Sequence, residues 1–176
     1  LVSIHVVDQR SGRHHKSHAR MPEEYFRHFP ELKAYIGRGE LAGAIAALFT
    51  MPVLFRGRKV IHFVDNAPAL SNLINGYSGK PDMARLVNMF HLALLALDVE
   101  WYGEWIPSKA NVADIMTRVE RFGELLEGLE KLEGFCEANP EGPADYELVW
   151  PPLGRQWSEL IVWMRAMRVR AAGEAA

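Results

Sequence analysis

Three carboxylates stand where hydrolytic chemistry could use them: Glu40, Asp65 and Asp114. Asp65 closes the apolar run Lys59-Val60-Ile61-His62-Phe63-Val64, and ligands of α/β sheets collect at the carboxyl ends of strands. Glu40 sits at the first turn of a stretch with helical spacing, and Asp114 in the first turn of the helix that follows the next strand. A crossover between the two strands brings that turn back to the edge of the sheet where Asp65 lies. Carboxylates gathered there repel one another unless cations lie between them. Magnesium suits such a place, because it takes oxygen ligands and keeps waters. Two such ions about 3.5–4 Å apart activate a water and stabilise a leaving oxygen in phosphodiester hydrolysis.

Each residue also has a plain structural reading. Asp65-Asn66 can simply begin and cap a helix. Glu40 can be a surface charge favoured by the helix dipole. Asp114 follows Asn111 at the spacing of a capping box. Asp65 is the hardest to explain in this way, since a charge at the end of a very apolar strand needs a partner. Order and spacing, taken together, favour the site.

The elements that must position these groups follow from periodicity. Residues 1–8 read as a strand, Gln9 to Gly12 as a turn, and His14 to Arg20 as a return strand. Pro22 to Phe29 reads as a short helix. Leu41, Ala44, Ile45 and Leu48 give residues 39–50 a helical stripe that Pro52 ends. Residues 59–65 suit a buried strand. Asn66 caps the next helix, which Pro68 enters and Gly76 stops. Pro81 and Asp82 open another, with Met83, Leu86, Val87, Phe90, Leu94 and Leu97 as its apolar stripe and Arg85, Asn88 and His91 facing away. Residues 99–106 form a strand, with Trp101 and Trp105 in the core, and the strand–helix–strand order implies a right-handed parallel crossover. The loop from Pro107 to Ala110 leads to a helix with Val112, Ile115, Met116, Val119 and Phe122 on one face. Asn139 to Pro143 reads as a loop, Trp150 to Pro152 as extended chain, and Trp157, Leu160, Ile161, Met164 and Arg168 as the face of a last amphipathic helix. Residues 1–132 are therefore expected to form one domain and 133–176 an appendage packed on it.

Composition narrows the function classes. With 176 residues, 49% of them hydrophobic and 24% charged, the chain can build a real core. A net charge of -2 argues against nucleic-acid binding by bulk charge, although Arg56, Arg58 and Lys59, and again Arg118 and Arg121, cluster locally. The one cysteine, Cys136, allows no internal disulfide and no cysteine zinc site, which fits a reducing, intracellular setting. No apolar run has the length of a membrane span and no signal peptide is visible. The chain opens directly in an apolar stretch without a methionine, as a piece cut from something longer would. His14, His15 and His18 share a helix face only if that segment is helical, so they are expected to be exposed rather than metal-bound. Tyr77 is expected to cover a core edge rather than to stack on a base.

Three segments, in order, carry a resemblance. Tyr35-Ile36-Gly37-Arg38-Gly39-Glu40-Leu41-Ala42 resembles the glutamate-bearing helix of retroelement ribonuclease H domains. His62-Phe63-Val64-Asp65-Asn66 resembles their second acidic strand. The run Trp105-Ile106-Pro107-Ser108-Lys109-Ala110-Asn111-Val112-Ala113-Asp114-Ile115-Met116-Thr117-Arg118 resembles their closing motif, in which Pro-Ser precedes Asn-x-Ala-Asp and a Thr-Arg or Ser-Arg pair follows. The similarity runs to about residue 122 and is closest to tyrosine-recombinase-type and related retrotransposons. It implies an α/β fold: a ribonuclease H-like mixed five-stranded sheet, its first three strands antiparallel, flanked by helices. It also implies cleavage of the RNA strand of RNA–DNA hybrids with two magnesium ions, or manganese in their place. Glu40, Asp65 and Asp114 would be three of the four metal-binding carboxylates. Asn66, Ser108, Lys109, Asn111 and Arg118 would contact nucleic acid, and the partner in the parent polyprotein would be the upstream reverse transcriptase.

The chain departs from that pattern twice. The fourth carboxylate belongs on a first strand followed by small residues and a second apolar strand. Asp8 is the one candidate, and Arg10-Ser11-Gly12-Arg13-His14-His15-Lys16 follows it, too polar for a buried strand. Asp8 reads better as the hairpin turn after strand two, which leaves the first strand missing. The histidine that cellular ribonucleases H carry before the last helix is also absent; Ser108-Lys109-Ala110 stand there, and Lys109 could contact phosphate. The rival to a hybrid-specific ribonuclease is a non-catalytic remnant that binds nucleic acid or a partner protein. A transposase or integrase ranks last, because its acidic order is Asp, Asp, Glu and this chain runs Glu, Asp, Asp. Two geometric expectations follow: the strands at 59–65 and 99–106 are parallel neighbours, and the three carboxylates meet at one sheet edge.

Overall fold

The computed structural model describes residues 1–27, 36–115 and 144–150, together with Val162, Arg165 and Ala166. Among these residues the chain is mixed α/β, with six helices and two small sheets.

The first sheet begins with a hairpin of β1 (Val2–Asp8) and β2 (Arg13–Ala19), antiparallel with Val2 opposite Ala19 and Asp8 opposite Arg13. Asp8 builds the turn itself. Its carboxylate accepts from the Arg10 amide at 3.1 Å and the Ser11 hydroxyl at 2.9 Å, while Gly12, at φ 68°, donates to the Asp8 carbonyl. An Asx turn of this kind, with glycine in the left-handed region, needs no catalytic explanation for the aspartate. The other edge of β2 pairs in parallel with the two-residue β5 (Ala144–Asp145), an element that sequence periodicity does not reveal. Leu148 beyond it joins the core, and the Val149 amide donates to the Thr50 hydroxyl at 3.0 Å.

Two histidines correct the expectation of an exposed polar return strand. His14 and His15 are buried, at 6% and 4% exposure, because β2 is an inner strand covered on both sides; His18 near its end is exposed.

The second sheet is β3 (Lys59–Val64) and β4 (Glu100–Trp105), parallel in register from Lys59 opposite Glu100 to Val64 opposite Trp105, as the crossover required. Two helices make the connection. In α4 (Ala67–Asn75) the Asn66 side chain accepts from the Ala69 amide at 3.0 Å and Gly76 closes the end at φ 65°. In α5 (Pro81–Leu97) all six expected stripe residues are buried. His91 does not face away: its Nε2 lies 2.8 Å from the Leu73 carbonyl and links α5 to α4.

Among the described residues only one face of this sheet is covered. Val60, His62 and Val64 turn inward, whereas Ile61 and Phe63 are 60% and 54% exposed, so β3 is not buried on both faces as its composition suggests. Trp101 packs against the core, but Trp105 is 49% exposed, which corrects its assignment to the core. Tyr77 likewise stands out at 67% exposure instead of covering a core edge.

Against β1, α4 and α5 runs α2 (Ile36–Thr50), buried on nearly every side: Leu41, Ala42, Ile45 and Ala46 are fully enclosed and Phe49 almost so. Its small residues permit this, and a β-carbon at Gly43 would meet the Val2 side chain at 3.0 Å. Arg38 near its start forms an ion pair with Asp82 at the start of α5, both largely buried. Burial alone would raise the Asp82 carboxyl; the Arg38 hydrogen bond outweighs it and holds the group below its ordinary value. Two short helices, α1 (Glu23–Arg27) and α3 (Pro52–Phe55), complete this layer; Tyr25 of α1 is fully buried and meets Trp150 edge-on with ring centroids 5.3 Å apart.

Gly103 fixes how closely α4 sits on β4. An added β-carbon there would lie 2.7 Å from the Leu70 side chain and 2.5 Å from the Trp101 ring, so one of the neighbours would have to shift. Gly103→Ala is expected to lower stability by about 1–3 kcal/mol through overpacking, read as a shift in the urea midpoint; an unchanged midpoint would show that α4 is not seated on the strand as described.

Candidate functional site

Each of the three acidic residues is carried by a different element. Glu40 sits in the second turn of α2, Asp65 directly follows β3, and Asp114 lies on α6 (Val112–Ile115), reached from β4 through a single 3-10 turn (Ser108–Ala110). Parallel pairing puts the ends of β3 and β4 side by side, and the Ile106 amide extends the ladder by donating to the Val64 carbonyl at 3.1 Å. The segment that bears Asp114 therefore leaves the sheet beside Asp65. All three side chains belong to residues of intermediate exposure.

Their proximity has an electrostatic signature. Burial, followed by the charges of Asp65 and Asp114, pushes the Glu40 carboxyl up to about 7. A carboxyl in that state is half protonated near neutral pH, which relieves the repulsion that three negative charges would otherwise create. The fold thus brings Glu40, Asp65 and Asp114 into one electrostatic cluster. It does not bring them to liganding geometry: among the described residues no group of three or more His, Cys, Asp or Glu side chains is disposed to hold a metal ion. Hard oxygen donors that repel one another fit a magnesium site in chemistry.

The polar residues assigned to nucleic acid divide into two groups. Asn66 and Asn111 are committed to helix starts: Asn66 caps α4, and the Asn111 side chain accepts from the Ala113 amide at 3.1 Å while its carbonyl accepts from the Asp114 amide at 3.1 Å. Ser108 and Lys109 are exposed on the 3-10 turn. Arg118 lies outside the described residues, as does the remainder of the expected stripe from Met116 to Phe122 and most of the last amphipathic helix.

Asp8 is not part of the cluster. Its carboxylate is held below its ordinary value: burial opposes this, and the Arg10 amide, the Ser11 hydroxyl and the Arg58 guanidinium 3.7 Å away outweigh it. That link ties the end of β1 to the residue before β3. Sequence reasoning missed the buried histidines of the hairpin; their signal was the β-branched alternation of β1, which demands a covered partner strand.

Comparison with known family models, with curated proteins and with solved structures finds no match for this chain.

The raised Glu40 carboxyl makes a signed prediction. A group that holds its proton more tightly when folded contributes most below its unfolded value, and that contribution is lost as pH rises through about 7. Glu40→Gln should therefore be more stable than the parent at about pH 8, by about 2 kcal/mol after allowance for solvent screening, with the gain vanishing near pH 4.5. Urea midpoints of the two proteins across that range check this; a gain that does not depend on pH would show that the Glu40 carboxyl is not raised by its surroundings.

Proposed function

We propose that this chain is the ribonuclease H-type portion of a retroelement polyprotein, whose parent protein hydrolyses the RNA strand of RNA–DNA hybrids with divalent metal. The observation that carries the reading is the electrostatic cluster of Glu40, Asp65 and Asp114, contributed in that order by a buried helix, the end of a parallel strand and the helix after its neighbour.

Sheet topology supports the same fold. β1 is an edge of one sheet and β3 an edge of the other, with the end of β1 tied beside the start of β3 through Asp8 and Arg58. One further strand between them, antiparallel to β1 and parallel to β3, would join both into a mixed sheet of the ribonuclease H kind. The strand that such domains use for their first aspartate is not found among the described residues, and Asp8 is occupied in a turn.

In this reading Glu40, Asp65 and Asp114 hold magnesium, which supplies an activated water and stabilises the leaving oxygen. Glu40 would bind a cation only as the carboxylate, so metal affinity would rise with pH through about 7. Ser108 and Lys109, exposed on the turn before α6, would meet the phosphate backbone; the resemblance assigns Asn66, Asn111 and Arg118 to nucleic acid as well. With one ligand missing, ions are held weakly and positioned poorly, so the chain alone cleaves little or nothing.

Magnesium should raise the melting temperature at about pH 8 more than at about pH 6, and Asp65→Asn should abolish the increase. In parallel, hybrid cleavage is measured for this chain and for one extended by its native upstream sequence. The extended protein is expected to gain orders of magnitude in rate, lost again in Asp65→Asn. Equal cleavage by both would overturn the missing-strand reading; no magnesium response and no cleavage by either would favour the non-catalytic interaction module.

A further inference from the structure

The hairpin carries an imidazole pair that the candidate site does not use. His5 stands opposite Lys16 and His14 opposite Val7, so the two rings are diagonal neighbours on one face of the β1–β2 pair. His5 Nε2 and His14 Nδ1 are 2.9 Å apart, and the rings stack with centroids at 5.1 Å and an angle of 27°. At that distance one ring nitrogen donates and the other must be bare to accept. A single proton is shared; a second one replaces the bond with two N–H groups pointing at each other.

The surroundings give that second charge little help. On the opposite face His15 is buried, with Nδ1 3.3 Å from the Tyr146 hydroxyl and Nε2 without a hydrogen-bond partner. Arg13 and Lys16 on β2 are cationic, and Lys16 is engaged with Asp145 at 3.5 Å. Asp8 at the turn is engaged with Arg58 at 3.7 Å. Of the helices packed on β1, α2 brings Arg38 and Glu40 and α6 brings Asp114; Arg38 pairs with Asp82, and the two carboxyl groups act on one another. Burial, then the charges of His14 and His15, hold the His5 ring down to about 4, and burial lowers His14 and His15 as well.

We propose that the His5–His14 pair is a proton-operated latch on the β1–β2 hairpin, closed by one N–H···N bond when a single proton is shared and released when both rings are charged. The sign follows from linkage. Rings that resist protonation when folded take up protons on opening, so the latch is intact above the ordinary imidazole value near 6.5 and fails progressively towards about 4. Release acts on more than the hairpin. β1 packs on α2 and α6, which carry Glu40 and Asp114, and Asp8 anchors Arg58 before β3, so an opened hairpin loosens the walls of the carboxylate cluster. The latch stands whether or not the cluster hydrolyses nucleic acid.

Native-state amide exchange tests it, with α5 as internal reference and intrinsic rates corrected for pH. Between about pH 7 and about pH 4.5, protection of the strand amides of β1 and β2 should fall by roughly a hundred-fold more than that of α5. In His5→Gln/His14→Gln the pH-dependent difference between hairpin and helix should shrink to the smaller part that buried His15 leaves. Imidazole titration of the parent protein by NMR provides a second measurement that does not depend on the variant folding: His5 and His14 should titrate together, well below the ordinary value. Hairpin protection that tracks α5 across the range, or two rings titrating independently near 6.5, overturns the proposal.

Discussion

A helix with almost no solvent-facing side is the constraint on which the rest of this structure depends. α2 lies under the hairpin and against α4 and α5, and its residues from Leu41 to Ala46 are all buried. A helix enclosed on all sides is held by packing rather than by an amphipathic stripe, and here the packing needs Ala42, Gly43, Ala44 and Ala46 to be small. Because α2 cannot shift without displacing β1, α4 and α5, Glu40 is fixed at the margin of the core. A carboxyl there is poorly solvated, and two further carboxylates share the same margin. The chemistry of the candidate site is thus a consequence of where the helix must sit.

Protons act on the carboxylates and on the buried imidazoles in opposite senses. Glu40 holds its proton more tightly in the folded state, while the hairpin histidines, and His62 packed between Phe90 and Trp101, resist theirs, with burial holding the His62 ring down to about 4. Acid therefore relieves the carboxylate cluster and strains the imidazoles. Stability as a function of pH is the sum of these leanings, and a broad optimum in the mildly acidic to neutral range is their natural result.

The sequence made the second sheet and its connections legible. Asn66 with Pro68, Gly76, Pro81 and the stripe from Met83 to Leu97 announce caps, stops and one buried face by local chemistry, and each performs that role. The acidic trio was legible as an order along the chain, since Asp65 at the end of an apolar run asks for a partner. Features set by distant contacts were harder to read. β5 is two residues long and exists only through its pairing with β2. His14 and His15 look polar and lie inside, because β2 happens to be an inner strand. Ile61, Phe63 and Trp105 look like core and lie outside, because one face of the parallel pair carries no layer among the described residues. In each instance a neighbour remote in sequence decided the outcome, and periodicity reports only neighbours close by.

Among the described residues β1 and β3 each keep an unpaired edge, which bears on how copies of the chain meet in solution. Neither strand carries a proline, and the only charges within them are Asp8 at the end of β1 and Lys59 at the start of β3, so little discourages a second molecule from continuing the ladder. Such growth depends on collisions between copies. Concentration rather than heat then sets the working life of a sample, and dilute handling, or a charged residue placed mid-strand, becomes the practical safeguard for colloidal stability.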